Sequence, residues 1–165
     1  MSDLERLARV VVERAAGLKL YARQWLDAAS AEDVVQEALA ALLSQRPPPD
    51  DPIAWMYRSV RNAAIDHARS TSRRRRRERS AAITRRDWFE PRPDSMIDAK
   101  TAEDALRHLS LEHREVVVLR IWADMGLAEI GRIVGTSTST VHNRYASAMQ
   151  QLRMILEKPC PKKIE

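Results

Sequence analysis

At 165 residues, with 8 prolines and 4 glycines, the chain has room for one ordinary domain or two small ones and does not fit a fibrous or collagenous design. Its formal net charge of +5 favours an acidic partner. No apolar run approaches bilayer-spanning length, and residues 1–17 alternate charges with aliphatics instead of forming a signal-peptide core, so a cytoplasmic protein without membrane insertion is expected. The single cysteine, Cys160, sits between prolines near the end and leaves no internal disulfide and no cysteine-based zinc site.

Five helical segments are legible in the first half and the last third, and nothing alternates with the period of a strand, which predicts an all-α fold. The pattern divides into two small helical domains, at 1–72 and 101–157, with an arginine-rich linker at 73–100 and a tail at 158–165. Leu4, Leu7, Val11, Ala15 and Leu18 keep a helical spacing that Tyr21, Ala22, Trp25 and Leu26 renew after Gly17. A second helix is expected to start at Ser30, where Ser30 and Asp33 make a capping-box pattern, and to run to about Gln45. It buries Ala31, Val34, Val35, Ala38, Leu39 and Leu42 and turns Asp33, Gln36, Glu37, Ala40 and Ser44 outward. Two carboxylates and an amide at i, i+3 and i+4 form a compact acidic patch, which taken alone reads better as an ordinary solvated helix face. A metal or acid–base site has little behind it: His67, His108, His113 and His142 form no HxxxH or HxxEH spacing, and no cofactor is implied.

Pro47, Pro48, Pro49, Asp50, Asp51 and Pro52 break the chain, with Asp51 suited to an N-cap and Pro52 to the first helical position. The helix that follows, PIAWMYRSVRNAAIDHARSTSRRRRR, carries Ile53, Met56, Tyr57, Val60, Ala63, Ala64 and Ala68 on one stripe and Trp55, Arg58, Asn62, Asp66 and Arg69 on the other. It joins directly to five arginines, Arg73 to Arg77. An arginine run is commonly a solvated tail, but this one continues a face already bearing a tryptophan, arginines and an asparagine, a design for a polyanion such as nucleic acid. From about residue 70 to residue 99 periodicity is lost, Pro91 and Pro93 intervene, and the Trp88-Phe89 pair has no role that the sequence identifies.

Residues 127–153, LAEIGRIVGTSTSTVHNRYASAMQQLR, read as a helix-turn-helix. Leu127, Ile130, Ile133 and Val134 pack the first helix, Gly131 permits a close crossing, and Gly135 opens the turn. The second helix buries Val141, Tyr145, Ala148, Leu152 and Ile155 and leaves Ser139, His142, Asn143, Ala146, Ser147 and Gln150 outward, as a helix entering a major groove requires. Thr140 and Arg144 flank that face and suit phosphate contacts.

Taken together, SAEDVVQEALAALL, AWMYRSVRNAAIDHARSTSRRRR and LSLEHREVVVLRIWADMGLAEIGRIVGTSTSTVHNRYASAMQQLR resemble the bacterial RNA polymerase sigma factors of the extracytoplasmic function group. The resemblance implies a region 2 that docks on core RNA polymerase and opens the minus-10 promoter element, and a region 4 that reads the minus-35 element. It assigns Asp33, Gln36 and Glu37 to the polymerase contact and so favours the functional reading of that acidic face. It assigns Asn62 to capture of a flipped minus-10 base, and Arg58, Arg61, Arg69, Arg73 and Arg74 to promoter DNA near that element. Ser139, Thr140, His142, Asn143, Arg144 and Ser147 fall to minus-35 DNA. A helical wheel puts Trp55 on the polar face, whereas the family motif packs the corresponding tryptophan, which favours core packing over base stacking. An anti-sigma factor is a further partner that the resemblance allows without a residue signature in this chain. Region 4 departs from the family pattern: His142 and Ser147 stand where basic residues are frequent, Ser139 where glycine is common, Gly131 where alanine is common and Leu111 where proline is frequent. A weaker or altered minus-35 contact is expected, with more of the electrostatic grip in region 2 and the linker. The competing readings are a stand-alone helix-turn-helix regulator and, more remotely, a metal-dependent hydrolase.

Overall fold

Helix caps and apolar stripes decide most of this architecture. The computed structural model describes residues 3–78 and 99–157. Their regular structure is entirely helical, in the order α1 (Asp3–Ala22), α2 (Ala28–Ser44), α3 (Pro52–Glu78), α4 (Ala99–Arg107), α5 (Leu111–Ile121), α6 (Leu127–Val134) and α7 (Thr138–Leu156). The all-α expectation holds, and α4 to α7 account for the helical pattern expected over 101–157.

The start of α2 lies earlier than the capping-box pattern predicts. Asp27 is the N-cap and its carboxylate accepts the Ser30 amide at 2.8 Å, which puts Ser30 inside the first turn. A carboxylate at this point satisfies an orphan amide and complements the helix dipole. The start of α3 is as expected: Asp51 Oδ1 accepts the Ala54 amide at 3.0 Å and its carbonyl accepts from Trp55 at 3.0 Å. Its end is not. The helix runs through the arginines to Glu78, past the linker boundary drawn at 73, because arginine is a good helix former and neither glycine nor proline occurs between Ser70 and Glu78. Residues 79–98, which hold Trp88 and Phe89, and 158–165, which hold Cys160, lie outside the described residues.

In the first half, α1, α2 and α3 pack on one another through Leu18, Tyr21, Ala22, Val34, Val35, Leu42, Met56, Tyr57, Val60 and Ala64. Ile53, Trp55 and Ala63 are half-buried against this core, so Trp55 is largely a packing residue. In the second half α5 is the central rod, with Val116, Val117, Val118 and Leu119 buried all round. Consecutive burial of this kind requires neighbours on every side. Gly135 ends α6 in the left-handed conformation, at φ 74°, and Ser137 caps α7. The halves also touch each other: α3 packs on α6 and α1 on α5, so the buried apolar residues of both form one continuous cluster.

Candidate nucleic-acid interface

Three surfaces carry the candidate residues, and packing sorts them unevenly. On α2, Asp33, Gln36 and Glu37 are all exposed, because the opposite stripe of the helix is spent on the core. Neighbouring Glu32 is held by Lys19 at 2.7 Å, whereas no ion pair is recorded for Asp33 or Glu37 among the described residues. The patch therefore presents uncompensated negative charge to solvent.

On α3, Arg58, Asn62, Arg69, Arg73 and Arg74 are exposed, with Arg69 only loosely paired to Asp66 at 3.9 Å. The helical continuation to Glu78 keeps Arg73 and Arg74 on the same rigid rod as Asn62. Arg61 is different. Its Nε donates to Glu115 Oε1 at 2.6 Å, and the Tyr21 hydroxyl donates to the same oxygen at 2.5 Å. Glu115 comes from α5 in the other half and is only 4% exposed. Burial alone pulls the Arg61 pKa down, but the Glu115 hydrogen bond and charge more than offset it, so the guanidinium is held more firmly protonated than usual. Burial first, then Glu115, drives the Tyr21 phenol well up. Sequence reasoning missed Glu115 and Tyr21. The one available signal is an acid abutting the apolar run Val116 to Leu119.

In the helix-turn-helix, Ser137 accepts the Thr140 amide at 3.1 Å while its hydroxyl also meets those of Ser139 and Thr140 at 3.0 and 2.8 Å. These contacts fix the start of α7. Ser139, His142 and Asn143 are exposed, Thr140 is half-buried, and Ser147 is half-buried with its hydroxyl accepting from Gln151 at 3.2 Å. Arg144 pairs with Glu112 of α5 at 2.9 Å. Its side chain thus bridges two helices of its own domain, a partner the sequence pattern did not reveal. A Cβ on Gly131 would stand 2.7 Å from the Thr136 carbonyl oxygen, so glycine is what lets the turn lie this close to α6. Arg132, also unforeseen, is exposed beside that turn and lines an open hollow with Thr136 and Thr138.

Among the described residues no group of histidine, cysteine, aspartate and glutamate is arranged to hold a metal ion, and no helix is long and apolar enough to cross a membrane.

The surfaces fall within two family matches: Sigma-70 region 2 matches residues 10–74, and Sigma-70, region 4 matches residues 105–154. The chain is 33% identical over 156 residues to the ECF RNA polymerase sigma factor SigL of Mycobacterium tuberculosis (strain H37Rv), covering 88% of this chain and 85% of that protein. The chain belongs to the extracytoplasmic function sigma factors. It is also 26% identical over 129 residues to the RNA polymerase sigma factor SigV of Bacillus subtilis (strain 168), across 76% of this chain and 75% of that one. In fold it is similar to the sigma factor RpoE in complex with the anti-sigma factor NepR from Bartonella quintana, with a TM-score of 0.80 at 20% identity over 97% of this chain and all (100%) of that one. CnrH in complex with the cytosolic domain of CnrY gives a TM-score of 0.64 at 20% identity, over 96% and 92% of the two chains.

This sigma factor binds core RNA polymerase, recognises minus-10 and minus-35 promoter elements and initiates transcription. A stand-alone helix-turn-helix regulator would have no use for region 2, and that alternative is not favoured. Sigma factors as a class are regulatory subunits rather than catalysts.

Proposed function

We propose a residue-level division of labour between the two regions. Asp33, Gln36 and Glu37 dock on core polymerase through a compact acidic surface. Asn62 hydrogen-bonds an extruded minus-10 base, while Arg58, Arg69, Arg73 and Arg74 track phosphates along the same helix, with Arg61 joining them once free of Glu115. Extruding a base costs a few kcal/mol of stacking, which such contacts must offset for melting to proceed. In region 4, Ser139, His142, Asn143 and Ser147 face base edges, and Thr140 and Arg144 hold flanking phosphates. With His142 and Ser147 in place of the basic residues frequent in the family, the electrostatic grip rests more on the arginine-bearing end of α3.

The observation that carries this reading is the exposure of Arg58, Asn62, Arg69 and Arg73 on one continuous helix whose apolar stripe is packed away, together with an exposed α2 face on which Asp33 and Glu37 form no ion pair among the described residues. The protein acts in the bacterial cytoplasm, where polymerase is, and has no catalytic role of its own, since nucleotide addition belongs to the polymerase. An anti-sigma factor is a further partner, supported by the likeness in fold to a sigma factor that was solved with one. Two variants test the division. Gln36→Ala with Glu37→Ala should weaken assembly with core polymerase while leaving helix content unchanged, because alanine is a good helix former. Asn62→Ala should assemble normally yet show reduced permanganate reactivity of minus-10 thymines. Equal core affinity for the first variant, or parental promoter opening by the second, would remove the corresponding assignment.

A further inference from the structure

The seam between the two halves holds a polar cluster in which Tyr21 and Glu115 have no role among those above. Glu115 projects from α5 of region 4 into region 2, where Tyr21 of α1 and Arg61 of α3 hold it at 2.5 and 2.6 Å, with Arg61 Nη2 reaching the second carboxylate oxygen at 3.4 Å. Both partners belong to the other half of the chain, and the Glu115 side chain is 5% exposed. Further along the seam, Arg14 Nη1 donates to the Ala123 carbonyl at 2.8 Å, and α6 lies on α3. Arg61 is the neighbour of Asn62 and lies one turn from Arg58, so the helix that carries the minus-10 residues is also the helix on which region 4 sits.

We propose that this closed arrangement is a self-inhibited state of the free sigma factor, in which the Glu115 carboxylate occupies Arg61 in place of a promoter phosphate and region 4 lies over part of the melting helix. The proposal rests on the assignment of region 2 to minus-10 DNA. Its physical logic is exchange. A planar guanidinium binds carboxylate and phosphate with the same fork geometry, so Glu115 and a DNA phosphate compete for one partner. A buried ion pair contributes little net stability over apolar packing, because desolvation consumes most of its Coulomb energy, yet it is costly to break one-sidedly. Such a contact suits a reversible latch. It resists opening while nothing replaces Glu115, and it yields when a polyanion takes Arg61 and Glu115 returns to water. Uncompensated Asp33 and Glu37 remain exposed in the closed form, so core polymerase can engage α2 before the latch opens.

The test uses the full chain with Cys160→Ser and fluorophores on cysteines introduced at exposed Ala41 and Gln150, one in each half. Energy transfer between them reads closure, and anisotropy with a single-stranded minus-10 oligonucleotide reads access to region 2. Glu115→Arg, which sets like charges together, should lower energy transfer and tighten oligonucleotide binding by about tenfold, the gain expected if the competent fraction rises from roughly a tenth to nearly all. Arg61→Glu should open the protein too, and the double exchange Arg61→Glu with Glu115→Arg should restore parental energy transfer. That restoration also shows that the single variants are folded, since a misfolded chain would not be rescued. Unchanged transfer in both single variants, or failure of the exchange to restore it, overturns the latch. Opening by Glu115→Arg without tighter oligonucleotide binding overturns the inhibition; Arg61→Glu, which lacks the phosphate ligand, is read by energy transfer alone. Promoter melting by holoenzyme made with Glu115→Gln keeps the two readings apart: parental melting is expected because the latch is already open there, whereas failure of parental holoenzyme itself to melt a promoter would count against the region 2 assignment and not against the latch.

Discussion

Two buried tyrosines of region 2 offer a controlled comparison. Tyr21 is fully enclosed, with its ring edge-on to Trp25 at 5.3 Å and tilted against Tyr57 at 5.4 Å, and its hydroxyl donates to Glu115. Tyr57 is just as enclosed, but its hydroxyl has no hydrogen-bond partner among the described residues. Tyr21→Phe keeps the ring contacts and deletes one hydrogen bond to a buried carboxylate, an interaction of about 1.5–3 kcal/mol. Glu115 retains Arg61, so the lower part of that range applies, about 1.5–2 kcal/mol. With a urea dependence of about 2 kcal/mol per molar, the unfolding midpoint should fall by roughly 0.7–1 M at unchanged slope. Tyr57→Phe removes an unsatisfied polar atom and should leave the midpoint unchanged or raise it slightly. Tryptophan fluorescence during urea titration reports both, since Trp25 lies against Tyr21. If unfolding proceeds in two steps, the Tyr21 effect belongs to the first, in which the halves part. Equal shifts for the two variants, or a Tyr21→Phe midpoint within about 0.2 M of the parent, would refute the account of the seam.

In region 4, Glu112→Ala should free Arg144 and strengthen minus-35 binding about threefold, the effect of removing a negative charge roughly 6 Å from a phosphate in a high-dielectric setting; Arg144→Ala should weaken all minus-35 variants alike and flatten the salt dependence by about one unit. Titrations at several salt concentrations check both, and a changed base preference for Arg144→Ala would contradict a phosphate role. Asn143→Ala should lose discrimination at one or two minus-35 positions, by about 1–3 kcal/mol for a bidentate contact, as read from a panel of single-base substitutions. At alkaline pH the buried phenols become a liability. Burial raises the pKa of Tyr21 and of Tyr57 above the ordinary value near 10, so their stabilising effect is complete below that value and is lost as pH rises through the folded-state values. Phenolate absorbance at about 295 nm, taken as the difference from the double Phe variant, should therefore appear together with loss of helical circular dichroism; ionisation near pH 10 with helices intact would contradict it.

The helices themselves, the helix-turn-helix and the outward faces of α2 and α3 were legible in the sequence, because they depend on interactions within a few residues. Asp51 and Pro52 start α3 by local capping, Gly135 ends α6 by its backbone preference, and the apolar stripe of α3 leaves Arg58 and Asn62 on the far side whatever the stripe packs against. Helix ends were less legible where two signals compete: Asp27 outcompetes Ser30 at the start of α2, and helix propensity carries α3 through an arginine run that reads as linker by composition. Only tertiary structure decided which charged residues are free. Arg61 and Arg58 are equivalent in the sequence, yet Arg61 meets a carboxylate 54 positions away that is shared with a tyrosine 94 positions from it, and Arg144 meets Glu112 on another helix. No periodicity encodes such pairings. A buried charge takes its partner from whichever element the fold brings within about 3 Å, because leaving it alone in a medium of low polarity costs more than any local preference can supply.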